Sequence, residues 1–180
     1  MKGIILLASG FEDTEAITTI DILKRAGLEI DLCAFNNEKE ITTQYNLKIK
    51  PELLIKKVDY TKYDFLVIPG GRAVFNTLSK LDIINDIIKH FNESGKLIAA
   101  ICAAPMLLGK NSLFKGKPFT CFPSCEEGIE GIYTGEGVTA QDNYITGKSM
   151  AYTIEFALKI VEYIKGKEES EKVRKAVFGM

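Results

Sequence analysis

Short apolar runs alternate along this chain with segments of helical periodicity, and that alternation leaves few possible architectures. "KGIILLA" (2–8) is a continuous β-rich run, as expected of a strand covered on both faces. Ala16, Ile17, Ile20, Leu23 and Ala26 then recur at helical spacing, and Gly27 ends the helix as a left-handed cap would. "LEIDLCAF" (28–35) returns to strand. Weaker strands around 41–43 and 46–50 suggest a small hairpin closed by Pro51. "YDFLVIPGG" (63–71) is a buried strand stopped by a Pro-Gly-Gly turn. Ser79 with Asp82 is expected to open a helix whose Ile83, Ile84, Ile87, Ile88 and Phe91 form the core stripe, with Gly95 at its end. "KLIAAI" (96–101) is strand again, followed by a helix after Cys102. Short strands are expected near 119–121, 132–134, 138–141 and 144–147, the last two joined at "DN". A long amphipathic helix over 150–165 and a charged one over 168–176 complete the chain. Strands alternating with helices of this length predict an α/β fold with a mostly parallel sheet covered on both sides.

In such sheets ligands bind beyond the carboxyl ends of the strands, near a topological switch point. Three loops are candidates: "SGFEDTE" after the first strand, "PGGRA" after the middle one and "ICAAP" after the fourth. No G-x-G-x-x-G follows the first strand and no G-x-x-x-x-G-K occurs, so no nucleotide motif is present. The 23 basic and 24 acidic residues balance to a net charge of −1, which argues against a nucleic-acid or anionic-membrane partner. At 180 residues the chain fits one domain, which would bury roughly 70% of its unfolded surface. No apolar run approaches the ~20 residues of a spanning helix. Four cysteines without a C-x-x-C pair, and a single histidine, give neither a disulfide framework nor zinc spacing. No metal or cofactor is expected, and a reduced, cytoplasmic setting is.

The seam "LIAAICAAPMLLG" (97–109) puts Cys102 between a strand and a helix. Free cysteine is often just a small buried hydrophobe. Three features favour a thiol that is presented instead. The strand-to-helix turn is the geometry that exposes a nucleophile at a sheet edge. A helix N-terminus favours thiolate. Flanking Ala99, Ala100, Ala103 and Ala104 leave room for a substrate. The only histidine, His90, falls about eleven residues into its helix, roughly 16 Å along it, at the far edge of the sheet. It is expected to be solvated on the polar face. Carboxylates remain. Glu12 and Asp13 suit a helix N-terminus. Glu15, one residue before the apolar stripe, should point inward and, held protonated, donate to the Cys102 thiolate, the pair titrating as a unit.

"LASGFEDTEA", "VIPGG", "AAICAAP" and "IEFALKIVEYIKGK" fall in the order and spacing of the ThiJ/PfpI superfamily, and most resemble its branch containing the parkinsonism-associated deglycase. The resemblance covers essentially the whole chain. It implies a flavodoxin-like three-layer sandwich with a nucleophile elbow, and a homodimer in which the first helix packs across a two-fold axis with Arg25 near the partner. It also implies Cys102 as nucleophile, Glu15 as its protonated partner, and the backbone N–H groups of Gly71 and Ala103 as an oxyanion site. Gly70, Phe122 and Ser149 are expected to line the pocket. Protease-like and chaperone-like relatives carry histidine where this chain has Ala103, and the deglycase branch carries it where this chain has Phe122. A site without imidazole disfavours peptide hydrolysis, which needs a strong general acid.

These readings converge on a cofactor-free enzyme for small dicarbonyls such as methylglyoxal, or their amine and thiol adducts, releasing a 2-hydroxy acid. Its activity should follow the coupled Cys102–Glu15 ionisations with no limb near pH 6.5, the unperturbed histidine value, and the Phe122 wall should favour uncharged aldehydes. The alternatives are a redox sensor or protective binding protein working through oxidation of Cys102, with Cys121 or Cys125 as a resolving thiol, and an amidase or isonitrile-hydratase-type activity on the same cysteine. Cys33 is expected in the core.

Overall fold

The computed structural model describes residues 1–35 and 40–180. In chain order the strands are β1 (Lys2–Leu7), β2 (Glu29–Ala34), β3 (Ile41–Thr42), β4 (Lys48–Ile49), β5 (Leu53–Leu54), β6 (Phe65–Ile68), β7 (Leu97–Ile101), β8 (Pro118–Phe119), β9 (Ile132–Tyr133), β10 (Val138–Gln141) and β11 (Tyr144–Gly147). The helices are α1 (Asp13–Arg25), α2 (Arg72–Asn76), α3 (Asp82–Glu93), α4 (Pro105–Lys110), α5 (Thr153–Lys165) and α6 (Lys167–Phe178).

Seven strands form one sheet in the order β10-β11-β7-β6-β1-β2-β5, parallel throughout except for the β10–β11 hairpin at one edge. The central strands are apolar on both faces, and Ile4, Ile5, Leu6, Leu7, Phe65, Leu66, Val67 and Ile68 are all fully buried. From β1 the chain moves outward to β2, whereas from β6 it moves the opposite way to β7. Right-handed crossovers then put α1 and α3 on opposite faces, α1 packing on α5 and α5 on α6, with α3 against β7. The result is the flavodoxin-like three-layer sandwich expected from the sequence. Its switch point lies between β1 and β6, so the loops following β1, β6 and β7 converge at one end of the sheet.

Several boundaries differ from expectation. The α3 helix begins at Asp82, with Leu81 rather than Ser79 at its N-cap, because Ser79 sits in a 3-10 turn and its hydroxyl donates to the carbonyl of Phe75. The five-residue α2 directly after Pro69-Gly70-Gly71 has too little periodicity to be read from sequence. The long C-terminal helix starts at Thr153, preceded by a 3-10 turn at 150–152. Among the described residues no helix is long and apolar enough to cross a membrane.

His90 is not solvated as expected. It is half-buried, edge-on to Tyr60 and Phe91 at ring separations of 5.6 Å, with its Nε2 buried and without a hydrogen-bond partner. Tyr60 closes over it from the segment preceding β6, at the amino end of the sheet, away from Cys102.

Candidate active site

The site begins with the way α1 is capped. Glu12 is the N-cap residue, and its side chain accepts from the Glu15 N–H at 2.7 Å. In a reciprocal capping box the acid at Glu15's position would reach back to the N-cap N–H. Here the Glu12 N–H donates instead to the Gly70 carbonyl at 3.1 Å. Glu15 is thereby released to point inward, 1% exposed, and its Oε2 accepts from the Gly70 N–H at 2.8 Å. Gly70 must be glycine for this. A Cβ there would lie 2.6 Å from the Cys102 Cβ and 2.7 Å from Glu15 Oε2, so carboxyl and thiol flank the same bare backbone.

Cys102 leaves β7 in the left-handed region, φ +63°, where a residue bearing a Cβ is disfavoured by roughly 1–2 kcal/mol. Two hydrogen bonds hold it there: its N–H donates to the Gly147 carbonyl at 2.9 Å, and its carbonyl accepts from the Phe122 N–H at 2.8 Å. The thiol is partly exposed. The Glu15 carboxyl and the backbone N–H groups of Ala103 and Gly71 lie close enough to the sulfur to shift its ionisation, and Glu15 Oε1 is buried without a hydrogen-bond partner of its own.

Burial pushes the Glu15 carboxyl up to about 7, helped by the charge of Glu12 and opposed by the Cys102 and Gly70 hydrogen bonds. Burial raises the Cys102 thiol as well, the Glu15 charge and hydrogen bond raise it further, and the Ala103 and Gly71 N–H groups pull it down. This differs from the low thiol pKa expected at a helix N-terminus, and the reason is local. The α4 helix starts only at Pro105, is six residues long and has Ala104 at its N-cap, so the helix end does not sit on the sulfur. Each negative charge opposes the other. Above about pH 7 the pair therefore holds a single proton, and the thiolate is the form in which that proton rests on Glu15.

A cavity of about 200 Å³ opens over the thiol, bounded by Glu12, Gly71 and Ala103, by Phe75, Phe122 and Cys125, and at its mouth by Gln44 and Arg72. Of the residues singled out from sequence, Cys102, Gly71, Ala103 and Phe122 border this space, and Glu15 and Gly70 lie directly behind the thiol. Ser149 does not border it; it caps the 3-10 turn at 150–152. Phe122 is 48% exposed, a rim rather than a closed wall. Glu12, Gln44, Arg72 and Phe75 were not anticipated. Glu12 and Arg72 lie in loops already marked as strand-end candidates. Gln44 carries no such signal, because it arrives through the β3–β4 hairpin, its N–H donating to the Phe11 carbonyl at 2.8 Å. Cys121 is fully buried, whereas Cys125 reaches the cavity. Among the described residues no three His, Cys, Asp or Glu side chains are grouped to hold a metal.

The chain is 32% identical over 179 residues to protein dj-1beta of Drosophila melanogaster, covering 98% of this chain and 96% of that one. The crystal structure of Drosophila DJ-1beta superposes with a TM-score of 0.91 over 99% of this chain and 98% of that one, at 31% identity. The glutathione-independent glyoxalase DJR-1.2 of Caenorhabditis elegans is 31% identical over 174 residues, 96% of this chain and 92% of its own. An oxidised Toxoplasma gondii DJ-1 structure matches at a TM-score of 0.88 and 28% identity, over 98% of this chain and 97% of that one. Residues 1–163 match the model of the DJ-1/PfpI family, and the chain belongs to that family.

Proposed function

We propose that the protein converts small dicarbonyls such as methylglyoxal, free or as amine or thiol adducts, to 2-hydroxy acids without a cofactor. The observation that carries this reading is the meeting of Cys102 with a buried carboxyl on either side of the Gly70 backbone, in a cavity that Gly71 and Ala103 also line. The Cys102 thiolate attacks the aldehyde carbon, a C–S bond forms, and the carbonyl electrons move to oxygen beside the Gly71 and Ala103 N–H groups. Glu15 delivers the shared proton to that oxygen, giving a hemithioacetal. As carboxylate, Glu15 then takes the proton from the former aldehyde carbon and returns it to the neighbouring ketone carbon through an enediol, while the hydroxyl proton passes from the first oxygen to the second. The first carbon is oxidised and the second reduced, leaving a thioester. Water attacks the thioester, the C–S bond breaks, and the hydroxy acid leaves with the thiolate restored. A relative named as a glyoxalase supports this reading. The test is lactate formation from methylglyoxal. Cys102→Ala should fall to background and Glu15→Gln should lose most turnover; wild-type rates in either would overturn the mechanism.

A second reading is favoured by the position of Cys125. Attack of the Cys102 thiolate on a hydroperoxide gives a sulfenic acid and an alcohol or water. The Cys125 thiol, bordering the same cavity, would then form the S–S bond as the hydroxyl leaves as water. Cys121, fully buried and away from the cavity lining, is the less suited of the two. Peptide mass mapping after peroxide treatment should find Cys102 linked to Cys125; Cys102 carrying two oxygens, with Cys125 free, would remove the resolving role.

We further propose a two-fold dimer through α1 and the β3–β4 hairpin, where Ile17, Tyr45 and Leu47 are exposed. Arg25, on the same helix, is bound to Asp21 at 2.7 Å. Light scattering at micromolar concentration would overturn the dimer by giving the 20.0 kDa monomer mass.

A further inference from the structure

We propose that the polar groove beside the cavity is a subsite for a carboxylate carried by the carbonyl substrate, with Arg72 as its cation and Gln44 as its amide donor. This rests on the dicarbonyl reading above. The groove has a volume of about 390 Å³ and shares Gln44 and Arg72 with the thiol cavity, so the two spaces adjoin across these side chains. The inner cavity alone, at about 200 Å³, is smaller than the roughly 300 Å³ at which ordinary ligand pockets begin. A methylglyoxal unit needs no more, but an adduct with an amino acid or a thiol acid does.

The lining of the groove identifies the charge it accepts. Apart from Arg72 and Gln44 it is bordered by hydroxyl and amide side chains, among them Ser9, Thr42, Asn46 and Asn76, and among the described residues no carboxylate lines it. Two acids approach from the start of α1: Asp13 is spent on the Thr43 hydroxyl and the Tyr45 N–H of the hairpin, and Glu12, which borders the thiol cavity, accepts from the Glu15 N–H. Gln44 Oε1 accepts the Arg72 backbone N–H at 2.9 Å, which fixes the amide beside the guanidinium. The guanidinium itself makes one long contact, Nη2 to the Gln44 carbonyl at 3.5 Å, and pairs with no acid among the described residues. Its remaining donors are unspent in a fork suited to a carboxylate.

The charge balance of the site points the same way. An anion approaching the Cys102–Glu15 pair meets a negative charge, and Arg72 at the mouth offsets that repulsion where the carboxylate would rest. On this proposal the selectivity runs opposite to that expected of a Phe122 wall: Phe122 is at the rim, and a carboxylate in the groove would be neither buried nor unpaired.

The test uses the intact reduced protein and two alkylating reagents differing only at one end, N-iodoacetylglycine (carboxylate) and N-iodoacetylglycinamide (amide). Rates of Cys102 modification are followed by mass spectrometry and expressed as the acid-to-amide ratio. Arg72→Gln should lower that ratio at least about three-fold relative to wild type, the scale of one solvent-accessible charge pair. Gln44→Glu, which places a carboxylate in the groove, should lower it as well, and Arg72→Lys should retain part of it. An unchanged ratio in Arg72→Gln, or rates for both reagents falling together, would overturn the subsite. Alkylation needs no turnover. Loss of the subsite therefore leaves the dicarbonyl reading standing, and a protein that keeps the ratio but makes no lactate fails that reading alone.

Discussion

Cys33 and Cys102 both end up at parallel strands of one sheet, and burial raises both thiols, Cys33 to about 12. What separates them is the backbone and the company. Cys33 continues a regular strand, is fully buried, and its weak S–H contact goes to the neighbouring Ala34 carbonyl at 3.9 Å. Cys102 is turned out of its strand by a positive φ, faces a cavity, and has the Glu15 carboxyl beside it across Gly70. A nucleophile in this fold is thus made by removing the strand from under the residue and supplying a proton acceptor.

The largest expected difference between the two is kinetic. Iodoacetamide should modify Cys102 faster than Cys33 by about three orders of magnitude or more, because Cys33 must wait for the sheet to open at a cost of several kcal/mol. Comparable rates, read by peptide mass spectrometry, would erase the distinction.

Next in size is the pH dependence that only the Cys102 side of the comparison should have. The Glu15 carboxyl is raised from 4.5 to about 7 in the folded protein. Between those values the native state holds a proton that the unfolded chain has lost, so stability falls as pH rises through the window. Urea unfolding should find wild type losing up to about 3 kcal/mol from pH 4.5 to 7.5 relative to Glu15→Gln. A pH-independent difference between the two proteins would mean that Glu15 is not held protonated. The same ionisation leaves the pair with its single shared proton, so turnover should rise with pH through about 7. This limb is that of the coupled Cys102–Glu15 ionisation, which activity is expected to follow, and not of an imidazole. The limb should survive His90→Gln.

The smallest effect isolates the backbone. Because φ at position 102 is +63°, Cys102→Gly should be more stable to heat than Cys102→Ala by about 1 kcal/mol. In an ordinary strand glycine would be the weaker of the two. At position 33, in β2, the order should reverse.

The same contrast explains what could be read from the sequence. The strands carrying Ile4–Leu7, Phe65–Ile68 and Leu97–Ile101 are legible because burial on both faces demands unbroken apolar runs, and Cys102 is legible because it interrupts that grammar at a strand end. Glu15 is legible from its register against the stripe that begins at Ala16. Gln44 is not, since nothing within the hairpin indicates that it will dock on the Phe11 carbonyl. Nor is the start of α4, where Pro105 supplies a first-turn residue but the three preceding positions could as well be helical. Local periodicity fixes which way a residue faces within its element, and pairing across the sheet fixes what it faces.

The hydrogen bond from Gly70 to Glu15 spans 55 residues, and the clamp on Cys102 depends on Gly147 and Phe122, so no short stretch of the chain contains the site. During folding the Cys102 thiol is an ordinary one until β1, β6, β7 and β11 have paired, contacts of long loop closure that form late. Its chemistry therefore switches on with the completed sheet. The rate at which Cys102 acquires its native reactivity in a refolding experiment would time the docking of those strands.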